Sequence, residues 1–313
     1  MNNPHTVLSV NDLSVDFAVK KSVVHAVKGI GFCLEKKSRT ALLGETGCGK
    51  SVTAAAVLRL LPENARVKGT IRLNDYPDIM RLSPGQMKRL RGKTVVYLPQ
   101  NAVACLNPVY TAGFFLRETI RRSCGQNGAS LKKTALSLLE KTGLDDPEKV
   151  YGMYPSQLSG GMARRVVLAA GLSTDPCLVI ADEPTKGLDA EAREKYLMLT
   201  KNLYDSAAFW MITHDIHSAA SCGACMVMHG GRIVEEGPAQ RVLNAPLHPY
   251  TKGLLASHPA KGLKPISGRD PGMEESGMGC VFFGRCEKKT GECAEKAPDV
   301  RERNGVKVWC RYA

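Results

Sequence analysis

Gly44-Glu45-Thr46-Gly47-Cys48-Gly49-Lys50-Ser51 has the spacing G-x-x-x-x-G-K-[ST] of a phosphate-binding loop. Immediately upstream, Thr40-Ala41-Leu42-Leu43 is a short apolar run that predicts a buried strand. Downstream, residues 52–61 are rich in Ala and Leu, stop at Pro62, and predict a helix. That order of strand, loop and helix gives the spacing its chemistry. Glycines let backbone N–H groups curl around phosphate oxygens, and the helix N-terminus adds positive potential. Lys50 is placed to reach the outer phosphates and the Ser51 hydroxyl to hold Mg²⁺. The nucleotide-binding set read from this stretch is Gly44, Glu45, Thr46, Gly47, Cys48, Gly49, Lys50, Ser51 and Val52.

A chain of 313 residues exceeds the usual size of one domain, which predicts a large domain with an appendage, or two domains. A composition of 43% hydrophobic and 23% charged residues is that of a soluble globular protein with a sizeable core. No apolar run approaches the roughly 18 residues of a membrane span. Met1-Asn2-Asn3-Pro4-His5 lacks the basic and apolar regions of a signal peptide, so a cytoplasmic location is expected. The formal charge of +13 attracts polyanions. Its basic residues are scattered and rarely interleaved with aromatics, which favours diffuse surface charge, with some attraction to acidic lipid, over nucleic-acid recognition.

Residues 7–17 alternate as a half-buried strand does, and residues 23–34 form a second strand-like stretch. Residues 67–74 predict another strand, and Ser83 caps a basic helix. Thr94-Val95-Val96-Tyr97-Leu98-Pro99-Gln100 reads as a buried strand that puts Gln100 at its carboxyl end, where open α/β sheets place ligands. The pattern then turns helical, most clearly over 111–122 and 131–142, as an inserted subdomain would. Its apolar leading edge, residues 109–116, either packs in the core or receives a partner helix. Leu158-Ser159-Gly160-Gly161-Met162 is a Gly-Gly turn capped by Ser159, a second helix N-terminus aimed at an anion. Leu178-Val179-Ile180-Ala181-Asp182-Glu183 is an apolar strand ending in two carboxylates. Asp182 is placed to hold Mg²⁺ through water, and Glu183 to orient or deprotonate an attacking water. Gly187-Leu188-Asp189 turns into an exposed helix over 190–204, and an apolar strand from Phe209 ends on His214, a candidate for the terminal phosphate.

GETGCGKS, Gln100, LSGGM, LVIADE with GLD, and His214, in this order, resemble the nucleotide-binding subunit of an ABC transporter over residues 7–242. LSGGM is similar to the signature that separates this family from other phosphate-loop ATPases. The resemblance implies an α/β fold: an ABC-type P-loop ATPase over residues 1–242, with an antiparallel β subdomain, an inserted helical subdomain over about 101–165, and a small Cys-rich C-terminal extension over 243–313. ATP and Mg²⁺ are the implied ligands, with Ser51, Gln100 and Asp182 on the Mg²⁺ and Glu183, His214 and Gln100 catalytic. Phe17 is the nearest aromatic for stacking on adenine, though it reads equally as a strand core residue; His25 is a further possibility. A head-to-tail dimer is also implied, each ATP lying between one subunit's phosphate loop and the other's Ser159-Gly160-Gly161 turn, with Asp189 among the nucleotide-binding residues. Lys186 and Arg164 depart from the family's pattern, and leave open whether both sites are equally active and whether the partner ATPase is identical or a paralogue.

The tail narrows the family. Leu247-His248-Pro249-Tyr250-Thr251 is similar to a segment of ATPases that serve oligopeptide, dipeptide and nickel importers. A Pro- and Gly-rich connector over 257–279 leads to Cys280, Cys286, Cys293 and Cys310. Of the eleven cysteines, Cys33, Cys48, Cys105, Cys124 and Cys177 read as small packing residues, and Cys222 and Cys225 as a lone CxxC. Four thiolates in a basic segment, whose charge should lower their pKa values, suit a cubane cluster or tetrahedral zinc. The resemblance puts a four-iron four-sulfur (4Fe–4S) cluster of structural role ahead of zinc. The expectation is an ATPase subunit at the cytoplasmic face of the membrane, powering import of peptides or of nickel and metal–chelate complexes. Its expected partners are a second ATPase subunit, two transmembrane permease subunits and an extracytoplasmic solute-binding protein, without nucleic acid. Rival expectations are a soluble ABC-type ATPase acting on nucleic acid or ribosomes, and a cysteine tail that gates hydrolysis as a redox sensor.

Overall fold

A computed structural model describes residues 5–19, 22–128, 130–258, 263–268 and 279–313, so most of the connector expected over 257–279 lies outside the described residues. The chain divides into two compact bodies, Met1–Leu82 with Trp210–Ala313, and Ser83–Phe209.

The first body opens with β1 (Thr6–Val19), β2 (Ser22–Glu35), β3 (Arg39–Leu43), α1 (Lys50–Val57) and β4 (Ala65–Leu73). β1 pairs antiparallel with β2 on one side and β4 on the other, Val10 lying opposite Phe32 and Ile71. Strict alternation would turn Leu13 to solvent. A register shift between Val10 and Leu13, with Asp12 left-handed at φ 49°, absorbs a residue and keeps Leu13 and Val15 buried. α1 ends sooner than residues 52–61 predict, because Arg59 is left-handed and its guanidinium donates to the carbonyls of Ile79 and Leu82.

The second body carries α2 (Pro84–Leu90), β5 (Val95–Leu98), α3 (Ala102–Cys105), α4 (Ala112–Cys124), α5 (Ser130–Lys141), α6 (Pro147–Gly152), α7 (Gly160–Gly171), β6 (Leu178–Asp182), α8 (Ala190–Leu203) and the first residues of β7 (Ala208–Thr213). Ser83, Thr111, Asp146, Ser159 and Asp189 cap its helices, each accepting a backbone N–H of the first turn. α4, α5 and α7 pack on one another through buried Leu116, Ile120, Ala135, Leu139 and Val166. β5 and β6 pair in parallel, Leu98 opposite Ala181, so Gln100 and Glu183 both follow the carboxyl ends of paired strands.

From Trp210 the chain rejoins the first body with α9 (Ile216–Ala220), β8 (Ala224–His229), β9 (Arg232–Pro238), α10 (Ala239–Asn244), α11 (Pro249–Ala256), α12 (Gly291–Glu295), β10 (Arg301–Arg303) and β11 (Val306–Val308). Strand order there is β10-β11-β9-β8-β3-β7, with β3 parallel to β8 and β9 antiparallel to both β8 and β11. The chain's last strand therefore extends the sheet that carries the phosphate loop, and the Trp309 N–H donates to the Val234 carbonyl. Trp210 is fully buried, its ring 5.2 Å from Phe32. Among the described residues no helix is long and apolar enough to cross a membrane.

Candidate functional site

β3 delivers the chain to Gly44, and α1 begins at Lys50. Two close approaches leave no space for side chains between them. A Cβ on Gly44 would strike the Met228 carbonyl oxygen, and one on Gly49, at φ 108°, would lie 2.5 Å from that of Ala26. Lys50 is buried and its Nζ donates to the carbonyls of Gly44 and Glu45, both at 2.8 Å, so the ammonium lies inside the curve of the loop. Burial raises the pKa of the neighbouring Cys48 thiol against the pull of Lys50. Thr46, Gly47 and Ser51 are exposed and Val52 is half-buried. An enclosed ammonium beside an open loop tip, a helix N-terminus and an exposed hydroxyl fits nucleotide phosphates and their Mg²⁺.

The support beneath this loop is not visible in its spacing. The Glu45 N–H donates to the Tyr250 hydroxyl at 3.1 Å, and the Glu45 carboxylate lies 3.2 Å from Arg285 Nη1 and 3.8 Å from His229 Nδ1. The segment His248-Pro249-Tyr250 acquires a physical reading here. His248 caps α11, its Nδ1 accepting the Tyr250 N–H at 3.0 Å; Pro249 takes the first helical position; Tyr250 is wholly buried, its ring 4.2 Å from that of His229. Buried Glu235 accepts the N–H groups of Leu247 and His248, at 2.8 and 2.9 Å. Burial, helped by the charges of His229 and Lys252, holds the His248 pKa down to about 3, which keeps the cap neutral. The motif's residue types were the only sequence signal for Tyr250, and Arg285 gave none.

The second body holds the carboxylates. Asp182 ends β6, buried, with the Tyr97 hydroxyl donating to its Oδ2 at 3.2 Å. In the sequence Tyr97 reads as one more residue of the strand; in the structure it is exposed between buried Val96 and Leu98. Glu183 is buried at φ 48°, a left-handed conformation that costs a non-glycine residue about 1–2 kcal/mol and turns the chain off the strand. Gln100 is exposed beyond β5. Ser159, Gly160 and Gly161 are exposed, with the Ser159 hydroxyl accepting the Met162 N–H at 3.2 Å. Asp189 is likewise exposed and accepts the Ala192 N–H at 2.8 Å. The Arg164 guanidinium donates to the Lys186 carbonyl, so the two positions that depart from the family pattern are joined. In the first body, Phe17 is half-buried in β1, His25 lies 2.6 Å from Asp16, and His214 is exposed after β7.

Cys280, Cys286, Cys293 and Cys310 line one small cavity of about 20 Å³ together with Phe282, Phe283 and Pro298. Among the described residues, however, no three or more His, Cys, Asp or Glu side chains are grouped to hold a metal ion. The expected lowering of their pKa values is reversed at Cys280 and Cys286. Burial raises both, neighbouring cysteines add to it, and backbone N–H groups, with Lys289 at Cys286, oppose it only in part. Nor are all the dispersed cysteines packing residues, since Cys33, Cys105 and Cys124 are exposed; Cys222 and Cys225 are buried, and burial pushes the Cys222 thiol up to about 11.

Residues 27–186 match the profile of the family described as ABC transporter. The chain belongs to the ABC transporter family. It is an ATPase whose hydrolysis is coupled to transport. Residues 234–293 match a second family, the oligopeptide/dipeptide transporter C-terminal region. The chain is 35% identical over 306 residues to a probable peptide ABC transporter ATP-binding protein of Sinorhizobium fredii, covering 95% of this chain and 91% of that one. It is 36% identical over 301 residues to the dipeptide transport ATP-binding protein DppD of Bacillus subtilis, covering 93% and 90%. Among solved structures, the ATP-binding cassette MJ0796, a dimer bound to ADP and Pi, shares the fold at a TM-score of 0.66 and 23% identity, over 74% of this chain and 98% of that one. An α/β ABC fold with mixed sheets and helices is thereby established.

Proposed function

We propose that the chain is the ATP-hydrolysing peripheral subunit of a peptide importer at the cytoplasmic face of a membrane. The observation that carries this reading is the phosphate loop enclosing Lys50, in a chain that relatives named for peptide transport match nearly end to end. Residues 1–242 serve as the nucleotide-binding domain, with a helical subdomain over about 101–165, and residues 243–313 as its extension. Lys50 and the loop amides hold the outer phosphates; Phe17 stacks on the adenine. Ser51, Gln100 and Asp182 hold Mg²⁺, which neutralises charge developing on the transferred phosphoryl group. Glu183 takes the proton of the attacking water, while Gln100 and His214 sense the terminal phosphate. Ser159, Gly160, Gly161 and Asp189 serve a nucleotide held by a second ATPase subunit, identical or paralogous.

Two permease subunits and an extracytoplasmic solute-binding protein complete the assembly. A groove lined by Leu106, Tyr110, Phe114, Phe115 and Arg122, with Tyr110 stacked on Phe114 at 4.1 Å, supports docking of a short permease helix. The names of the relatives favour peptide over nickel or metal–chelate cargo. For Cys280, Cys286, Cys293 and Cys310 we infer a 4Fe–4S cluster of structural role. What supports the reading is that the four cysteines of the extension line one cavity, enough ligands for one cluster.

The function is tested by uptake of a dipeptide into vesicles reconstituted with the chain, its permease subunits and the solute-binding protein. Glu183→Gln is expected to keep ATP binding and abolish uptake. ATP-driven uptake of nickel without peptide, or turnover that needs RNA and no membrane partner, overturns the reading. Iron and sulfide analysis with a visible spectrum of anaerobically purified protein tests the cluster; one zinc per chain refutes it.

A further inference from the structure

We propose that the C-terminal extension is a working part of the nucleotide site, with Arg285 and Tyr250 as positioning residues that hold Glu45, and through it the phosphate loop, in shape to receive ATP. The inference rests on residues 44–51 being where ATP binds. Glu45 faces two ways. Its carbonyl accepts from Lys50 at 2.8 Å, on the inside of the loop, while its N–H and carboxylate are taken by Tyr250 and Arg285, 205 and 240 residues further along the chain. Whatever shifts the outer contacts shifts the carbonyl to which the loop's ammonium is bonded.

The grip is a built one. The Arg285 side chain is 7% exposed and that of His229 fully buried, and the Phe282 ring stands edge-on to both His229, at 5.4 Å, and Tyr250, at 5.5 Å. Removing one partner of an ion pair on a guanidinium this shielded from water leaves a buried charge uncompensated, which costs more than losing a mobile surface pair. A second line of contact reaches the same loop. The Gly231 N–H donates to the Cys48 carbonyl at 3.1 Å, and Val281 packs so closely on Gly230 that a Cβ there would lie 3.0 Å from it. Residues 280–286 therefore press on the loop through Val281 near one end and Arg285 near the other. Cys280 and Cys286 bracket that stretch, so any change that reshapes the cysteine cavity bears on the residues that grip Glu45.

The test is binding of a fluorescent ATP analogue to the full chain in R285A, R285K, E45Q, Y250F and the double variant E45Q/R285A, with K50A as reference for the loop itself. Losing a hydrogen bond to a charged group predicts about tenfold weaker binding in R285A and in E45Q. R285K should recover part of the loss, Y250F should lose about threefold, and the double variant should bind no more weakly than the worse single one. In the assembled transporter the loss should fall on KM for ATP and leave kcat nearly unchanged. Unchanged binding in R285A and E45Q while K50A fails to bind overturns the proposal and leaves the loop assignment standing. Unchanged binding in K50A overturns the loop assignment instead. An additive double variant overturns the coupling. Should R285A fail to fold, E45Q decides alone, since its side chain is 32% exposed and the change keeps its shape.

Discussion

The phosphate loop and the strand end at Asp182 reach their shapes by different means. The strand end inherits its position from a parallel partner, with Leu98 set opposite Ala181, and the Tyr97 hydroxyl donates across the strands to its carboxylate. The loop leaves the sheet at Gly44 and has no ladder of its own. Its curve is fixed by glycines that admit no Cβ and by contacts from Tyr250 and Arg285. A backbone that leaves its sheet and curls on itself borrows its rigidity from elsewhere, whereas a strand end already has it. The two regions should therefore fail differently. The largest expected effect is at the strand end: Glu183→Gln in the assembled transporter should lower ATP turnover by about 10²–10⁴-fold and leave nucleotide affinity within about twofold. Near-normal turnover would remove Glu183 from the chemistry. The next is at the loop: Lys50→Ala should weaken ATP binding by about 100-fold, through the loss of charged hydrogen bonds. Calorimetry on the isolated chain reads it directly.

Acid should separate the regions further, because the loop's support includes a buried neutral histidine. His248 has its pKa depressed to about 3 in the folded chain, against about 6.5 when exposed. A depressed pKa means that the unfolded chain binds the proton first, so this part of the stability is intact above pH 6.5 and is lost as pH falls from 6.5 towards 3. At pH 5.5 the loss is about 1.4 kcal/mol, a tenfold shift in the folding equilibrium. Thermal melts at pH 7.5 and 5.5 should show it. His248→Asn, whose amide oxygen accepts the Tyr250 N–H without titrating, should shrink the difference between the two melts. An unchanged difference would place the acid sensitivity elsewhere.

What could be read in the sequence follows the same division. The loop shape at Gly44, Gly49 and Lys50 was legible because a tight turn into a helix imposes steric rules on consecutive residues, and the strands ending at Gln100 and Glu183 because burial on both faces leaves long apolar runs. Caps at Ser83 and Ser159 were legible for the same local reason. The roles of Tyr250 and Arg285 were not, since nothing within ten residues of either marks a partner more than 200 positions away. The cysteine pKa values went the wrong way because counting lysines and arginines along a segment says nothing about burial, which dominates at Cys280 and Cys286. α1 stops short of the run that predicts it because Arg59, a good helix former, is drawn out of the helix by carbonyls from another segment.

The smallest predicted effect is the sharpest test of whether loop and strand end are independently supported. Tyr97→Phe removes one hydroxyl that donates to Asp182 Oδ2, with no change in the packing of the ring. A hydrogen bond to a carboxylate is worth about 1.5–3 kcal/mol when shielded, but Tyr97 is 36% exposed and water can replace its donor, so about a threefold effect is expected. It should appear as a higher Mg²⁺ concentration for half-maximal activation, and as weaker Mn²⁺ binding read by electron paramagnetic resonance. ATP binding without divalent cation should stay unchanged, because the loop's contacts to Tyr250 and Arg285 do not involve Tyr97. Equal weakening with and without the metal would mean that the hydroxyl supports the nucleotide as a whole, and the division between a self-supported strand end and a loop held from the tail would fall.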